Sequence, residues 1–182
     1  MPDDRVSGDG FIQAADGTPR WGRYGAAGVL IRHAGEEGEF FFLARRALWT
    51  HHGGTWAIPG GAIDLHEAPL DAALREFEEE VGFTLDSYDV VEVHEDDHGG
   101  WSYWTHLIEV RHRFDLPGSM NPELTEARWV QAHELHELDL LEAFAGTLRH
   151  LGIISHAPVA SRKPSGSVDS LPHRESPDGR AR

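Results

Sequence analysis

Three glutamates pose the first chemical question. Glu76, Glu79 and Glu80 stand at i, i+3 and i+4 in the run REFEEEVGF, which closes the stretch Gly61–Phe83. At about 100° per residue of helix they share one face. Leu70, Leu74, Phe77 and Val81 recur at three- and four-residue steps on another face, which predicts an amphipathic helix that stops at Gly82. Carboxylates so placed repel one another by a few tenths of a kcal/mol per pair. A hard divalent cation removes that repulsion, because Mg²⁺ takes carboxylate oxygens and keeps waters at its other positions. Three glutamates by themselves would read as a solvated helix face. The wider stretch argues for chemistry.

Gly61 is followed six residues on by Glu67 and, after seven more residues, by Arg75-Glu76-Phe77-Glu78-Glu79-Glu80-Val81-Gly82-Phe83. These residues fill every fixed position of the pattern G-x5-E-x7-R-E-U-x-E-E-x-G-U, so the chain resembles the Nudix hydrolases. Trp56-Ala57-Ile58-Pro59-Gly60-Gly61 is similar to the strand and turn that lead into that box. The resemblance implies an α/β fold, an α/β/α sandwich with a mixed β-sheet and a loop–helix–loop metal site. It also implies hydrolysis of a nucleoside diphosphate linked to another group. Many members carry glycine just before the first box glutamate, where this chain has His66.

Diphosphate hydrolysis requires a water delivered to phosphorus, neutralised oxygens and help for the leaving phosphate. The resemblance implies Mg²⁺, with Mn²⁺ as a substitute, held by Glu76, Glu79 and Glu80 and by the main-chain carbonyl of Gly61, where the missing side chain allows close approach. Arg75 completes this catalytic set and is expected to fix a carboxylate by a bidentate pair. Glu67 is expected to brace the loop. One of the helix glutamates, or an acid outside the box, takes the proton from water. Asp96, Asp97 and Glu126 compete for the outside role. Substrate contacts are expected from Arg45, with Arg46, His51 and His52 beside it, and from Trp56 and Tyr103. The cations face phosphate or else are solvated loop residues. An aromatic face offers about 1–3 kcal/mol per stacked base or else belongs to the core.

One domain is expected to position these residues. The chain has 182 residues, 40% hydrophobic and 26% charged, enough for a sizeable core. Tyr24–Arg32 reads as a strand that returns through a Gly35-Glu36-Glu37-Gly38 turn as Glu39–Arg45, with Phe40–Leu43 apolar on both faces. Val90–His94, Trp101–Arg111 and Glu126–Gln131 read as further strands, His94–Gly100 as an acidic loop, and Leu140–Leu151 as a helix. The expected organisation is an extension over 1–22 with a short hairpin, a catalytic domain over 23–156, and a tail over 157–182 too rich in Pro, Ser and Gly to pack.

Charge narrows the partners. The net charge is −15, but from Ala157 onward five Arg or Lys stand against three Asp or Glu, leaving +2 there and −17 on the rest. Such a body repels a polyanionic backbone, which argues against nucleic acid and leaves a small, metal-chelated nucleotide as the expected partner. There is no cysteine, which excludes thiol chemistry and fits a cytoplasmic protein. No apolar run is long enough to span a bilayer, and the polar N-terminus argues against a signal peptide. His133-Glu134-Leu135-His136 looks like half of a zinc motif, but its histidines are three residues apart rather than four, as at a surface helix start. The rival reading is a Nudix-fold domain that senses a nucleotide without cleaving it, although such domains carry degraded boxes. A homodimer stays open.

Overall fold

The computed structural model describes residues 6–155, apart from 117 and 119. The tail expected to stay unpacked, 157–182, lies outside the described residues. Strands β1 (Phe11–Gln13) and β2 (Pro19–Trp21) form an antiparallel hairpin. A seven-stranded sheet follows, made of β3 (Ala26–Gly35), β4 (Gly38–Arg46), β5 (Trp56–Ala57), β6 (Gly60–Ala62), β7 (Asp89–Asp97), β8 (Ser102–Glu109) and β9 (Leu124–Gln131). Helix α1 (Pro69–Val81) lies between β6 and β7, and α2 (Glu142–His150) closes the described chain.

The sheet runs β5-β4-β3-β8-β7, with β6 also on β3 and β9 also on β4. It is mixed: β3 and β8 run parallel, the other pairs antiparallel. The apolar run in β4 serves both faces, because successive side chains alternate. Phe42 and Ala44 join Val29, Ile31 and Ile108 under α1, while Phe41 and Leu43 join Leu30, Leu107 and Val130 under Leu135, Phe144 and Leu148. One helix on each face makes the α/β/α sandwich.

The buried face of α1 is not the bulky stripe that its spacing predicts. Ala72, Ala73, Phe77 and Val81 are buried, whereas Leu70 and Leu74 are only half-covered. The small alanines let the helix backbone lie close to β3, so the stripe that counts is Ala-Ala-Phe-Val. Phe77 meets Phe42 edge to face at 5.8 Å, a contact worth roughly 0.5–1.5 kcal/mol beyond its area. Pro69 starts the helix, where a missing N–H costs nothing. Gly82 ends it with φ 75°, its N–H donating to the Glu78 carbonyl at 2.8 Å.

Two strand boundaries also differ from the sequence reading. β7 does not stop at His94 but runs to Asp97, pairing Asp96 with Tyr103 and Asp97 with Ser102. The long partner strand supplies ladder bonds that outweigh the poor strand propensity of these acids. β9 begins at Leu124, two residues early, and His133 and His136 lie on an exposed 3-10 turn whose Glu134 closes a capping box with Gln131. Among the described residues no helix is long and apolar enough to cross a membrane.

Candidate active site

Arg75 is the hub of the site. It projects from α1 back toward the loop that precedes the helix, and all three of its nitrogens are engaged. Nε and Nη2 grip the two oxygens of Glu67 at 2.9 Å each, Nη1 donates to Glu76 at 2.7 Å, and Nη2 also reaches the Ala62 carbonyl at 2.8 Å. Glu67 in turn accepts the Asp64 N–H at 3.0 Å. The bonds to Glu67, and then that to Glu76, hold the guanidinium proton more firmly than usual, against the opposing effect of burial. The loop and the helix are therefore locked to each other through one side chain.

The carboxylates around this hub are under electrostatic pressure. Burial pushes the Glu76 carboxyl above its ordinary value; the Arg75 bond opposes this, and the charges of Glu79 and Asp9 add to it. Glu80 is pushed up to about 8, again first by burial. Its hydrogen bond from the Gly60 N–H at 3.2 Å and the Arg46 charge pull it down, and the charges of Glu76 and Glu123 push it up. Glu78, Glu79 and Glu80 also crowd the last turn of α1, which holds no basic residue and carries the negative end of the helix dipole.

The donor set fits a hard divalent cation. It consists of carboxylate oxygens gathered where the helix dipole and their mutual repulsion both oppose anions, and such charge is relieved by a cation. Gly61 keeps a cradle clear beside it: a Cβ built there would lie 2.5 Å from Glu76 Cδ. The three carboxylates do not share one centre. Glu76 is tied to Arg75, the more exposed Glu79 stands 3.6 Å from the same guanidinium, Glu80 turns to Gly60, and among the described residues no three His, Asp or Glu side chains form a finished ligand set.

Beside Gly60, on the α2 side of the sheet, opens a cavity of about 170 Å³. Ala57, Ile58, Tyr103 and Phe144 line its apolar part, and Arg46, Asp96 and Arg20 are its charged groups. Tyr103 is thus on the lining; its hydroxyl is lodged against Gly28 and Gly60, and burial raises its pKa. Trp104, its neighbour, packs on the α1 side.

The other sequence candidates stand elsewhere. Trp56 is buried at 6% exposure in the core under α2, with the Arg128 guanidinium 5.0 Å from its ring. Arg45 donates to the Gly54 carbonyl at 3.0 Å, and it is Arg46 that lines the cavity. Asp96 also lines the cavity and pairs with His98 at 3.1 Å. Asp97 accepts the Gly99 N–H at 2.8 Å to close a turn, and Glu126, half-buried on β9, sits 3.6 Å from Arg128. Two acids act on the box carboxylates from outside it, Asp9 on Glu76 and Glu123 on Glu80. The Asn121 N–H donates to the Glu80 carbonyl at 2.9 Å and Asn121 Oδ1 accepts the Glu123 N–H, which brings this loop to the end of α1. Glu123 stands three residues before Glu126, and no local spacing marks it.

A family model described as the NUDIX domain matches residues 22–151. A Mycobacterium tuberculosis protein provisionally named 8-oxo-dGTP diphosphatase 3 is 39% identical over 154 residues, covering 81% of this chain and 70% of that one. An RNA pyrophosphohydrolase of Erythrobacter litoralis is 31% identical over 132 residues, 72% of this chain and 68% of that one. Among solved structures, a Nudix hydrolase from M. smegmatis superposes with a TM-score of 0.71 at 36% identity, covering 80% of this chain and 93% of the other.

Proposed function

Since the chain belongs to the NUDIX domain family, we propose that it is a Mg²⁺-dependent hydrolase of a nucleoside diphosphate linked to a further phosphate or other group. The observation that carries this reading is the Arg75 lock, which presents Glu76 against Gly61 and leaves Glu80 beside the mouth of the cavity. Glu76, Glu79, Glu80 and the Gly61 carbonyl would hold the cation, which when bound polarises phosphoryl oxygens and lowers the pKa of its water.

The chain's own groups divide the remaining work. Arg75 is fully occupied and acts by holding the carboxylates in place. Arg46 supplies a positive charge between the box and the cavity, suited to a substrate phosphate. The proton of the attacking water goes to a carboxylate at the Glu80 end, where Glu123 joins the box from outside the helix. The cavity beyond Gly60 takes the nucleoside. Its volume suits one nucleoside rather than a strand, and the acidic body disfavours a polyanion, so a free nucleotide fits better than RNA.

The test is phosphate or pyrophosphate release from a panel of nucleotides with and without Mg²⁺. Release that requires the metal and is lost in the Glu79→Gln/Glu80→Gln double variant supports the reading. Nucleotide binding without cleavage under Mg²⁺ and Mn²⁺ would contradict it and leave a sensing domain.

A further inference from the structure

The hydroxyl of Tyr103 stands where the cavity meets the box. The ring projects from β8 onto the cavity lining, between the core under α2 and the small core around Trp101. Its oxygen extends to two glycines that face each other across β3 and β6, Gly28 and Gly60. A Cβ built on Gly28 would collide with that oxygen, and one on Gly60 would lie 3.0 Å from it. Two bare residues in register thus make the slot that lets a phenol reach this point.

From the slot to the box is a single hydrogen bond, since the Gly60 N–H donates to Glu80 at 3.2 Å. After burial, the charges that act on the phenol are those of Glu80, Arg46 and Glu76, in that order. Arg46 and Gly60 lie on the cavity lining with Tyr103.

The hydroxyl itself is unused. Among the described residues it makes no hydrogen bond. It is not sealed in either: Tyr103 keeps partial exposure, and the buried unpartnered side-chain atoms are Arg20 Nε and His106 Nδ1 instead. A phenol is protonated at neutral pH, so this position offers one O–H to whatever enters the cavity.

The surroundings decide what it takes. With the nucleoside in the cavity and the cleaved phosphates at the box, the group that passes Gly60 is the phosphate joined to the sugar. An O–H and a guanidinium on one lining suit the oxygens of such a group, and a hydrogen bond to a charged acceptor is among the stronger ones.

We propose that Tyr103 holds the nucleotide by its sugar-linked phosphate, its hydroxyl donating to an oxygen of that group beside Arg46. This rests on the nucleotide reading above, which assigns the cavity to the nucleoside. Tyr103 grips the substrate and exchanges no proton with it, so it sets affinity and leaves the chemical step to the box.

The experiment uses the full chain with Mg²⁺ and probes that need no hydrolysis: the four ribonucleoside 5′-monophosphates and the matching nucleosides, titrated calorimetrically. Tyr103→Phe keeps the ring and removes only the hydroxyl. It is expected to weaken the best-bound monophosphate about tenfold and to leave its nucleoside within about twofold of wild type. Its melting temperature should not fall, because no bond within the protein is lost. In turnover the loss should appear in KM rather than in kcat. Unchanged monophosphate affinity would overturn the proposal. So would equal weakening of nucleoside and monophosphate, or a melting temperature several degrees lower, since either would mark the hydroxyl as structural. Metal-dependent hydrolysis without the selective loss would overturn this proposal alone, and the selective loss without hydrolysis would overturn only the enzymatic reading. A wild type that binds none of the probes would overturn the assignment of the cavity and the proposal with it.

Discussion

The carboxylate of Glu76 rests directly against the α-carbon of Gly61, so close that a methyl group on Gly61 would lie 2.5 Å from Glu76 Cδ. Two residues fifteen positions apart in the chain thereby share one space. Gly61 is required for room rather than for an unusual backbone angle, since the obstacle is a flexible side chain and not main chain. Gly61→Ala should therefore displace Glu76 more than it disturbs the fold. Stability should fall by less than about 1.5 kcal/mol, while turnover drops at least about tenfold. Urea unfolding and steady-state assays on the same preparation check both. A variant that unfolds outright, or one that works normally, would contradict the packing described.

Glu80 gives the metal-free protein a distinctive pH dependence. Its carboxyl ordinarily titrates near 4.5 and in the fold near 8, so between these values the native state holds a proton that the unfolded chain has lost. Its contribution to stability is complete below about 4.5 and is lost as pH rises through about 8. The slope is at most about 1.4 kcal/mol per pH unit within that window. Urea midpoints in a chelator at pH 5 and pH 8.5 should diverge for the wild type and draw together in Glu80→Gln. Equal slopes in the two proteins would contradict this placement of Glu80.

His66 adopts φ 67° in the turn where the Glu67 N–H donates to the Asp64 carbonyl. The third position of such a turn favours glycine, because a side chain there costs roughly 1–2 kcal/mol. The glycine that many Nudix members carry at this place has that physical reason. His66→Gly should raise stability by a few tenths to about 1 kcal/mol, the gain reduced by the greater freedom of glycine in the unfolded chain. Thermal unfolding of the two proteins decides it, and a lower melting temperature for the glycine variant would count against the turn.

What the sequence made legible was local. The box occupies one continuous stretch, so the spacing of Gly61, Glu67, Arg75 and the helix glutamates carried its meaning without knowledge of the fold. The apolar run Phe40–Leu43 announced a strand covered on both faces for the same reason. The cavity is assembled from distant pieces and was harder to see. Arg45 and Arg46 are adjacent in sequence, and only the pairing of β4 with β5 and β9, irregular at this point, shows that the second one faces the cavity. Asp96 and Asp97 looked like loop residues because their strand propensity is poor, until β8 extended the ladder beside them. Glu123 and Arg20 reach the site through contacts spanning dozens of residues, Asn121 with Glu80 and Trp101 with Gly22. No periodicity encodes such contacts.

The central claim is that particular carboxylates of α1, and not its general negative charge, carry the reaction. Glu76 and Glu78 separate these two ideas. Glu76 is half-buried between Arg75 and Gly61, whereas Glu78 is exposed and its carboxylate accepts only a hydrogen bond from Thr84 at 3.0 Å among the described contacts. Each substitution by glutamine removes one charge from the same helix. Nucleotide hydrolysis under saturating Mg²⁺ should fall by about a hundredfold or more in Glu76→Gln and stay within about twofold of wild type in Glu78→Gln, with both proteins folded. Equal slowing by the two substitutions would show that the helix acts through its overall field, and the site described around Arg75 would then be wrong.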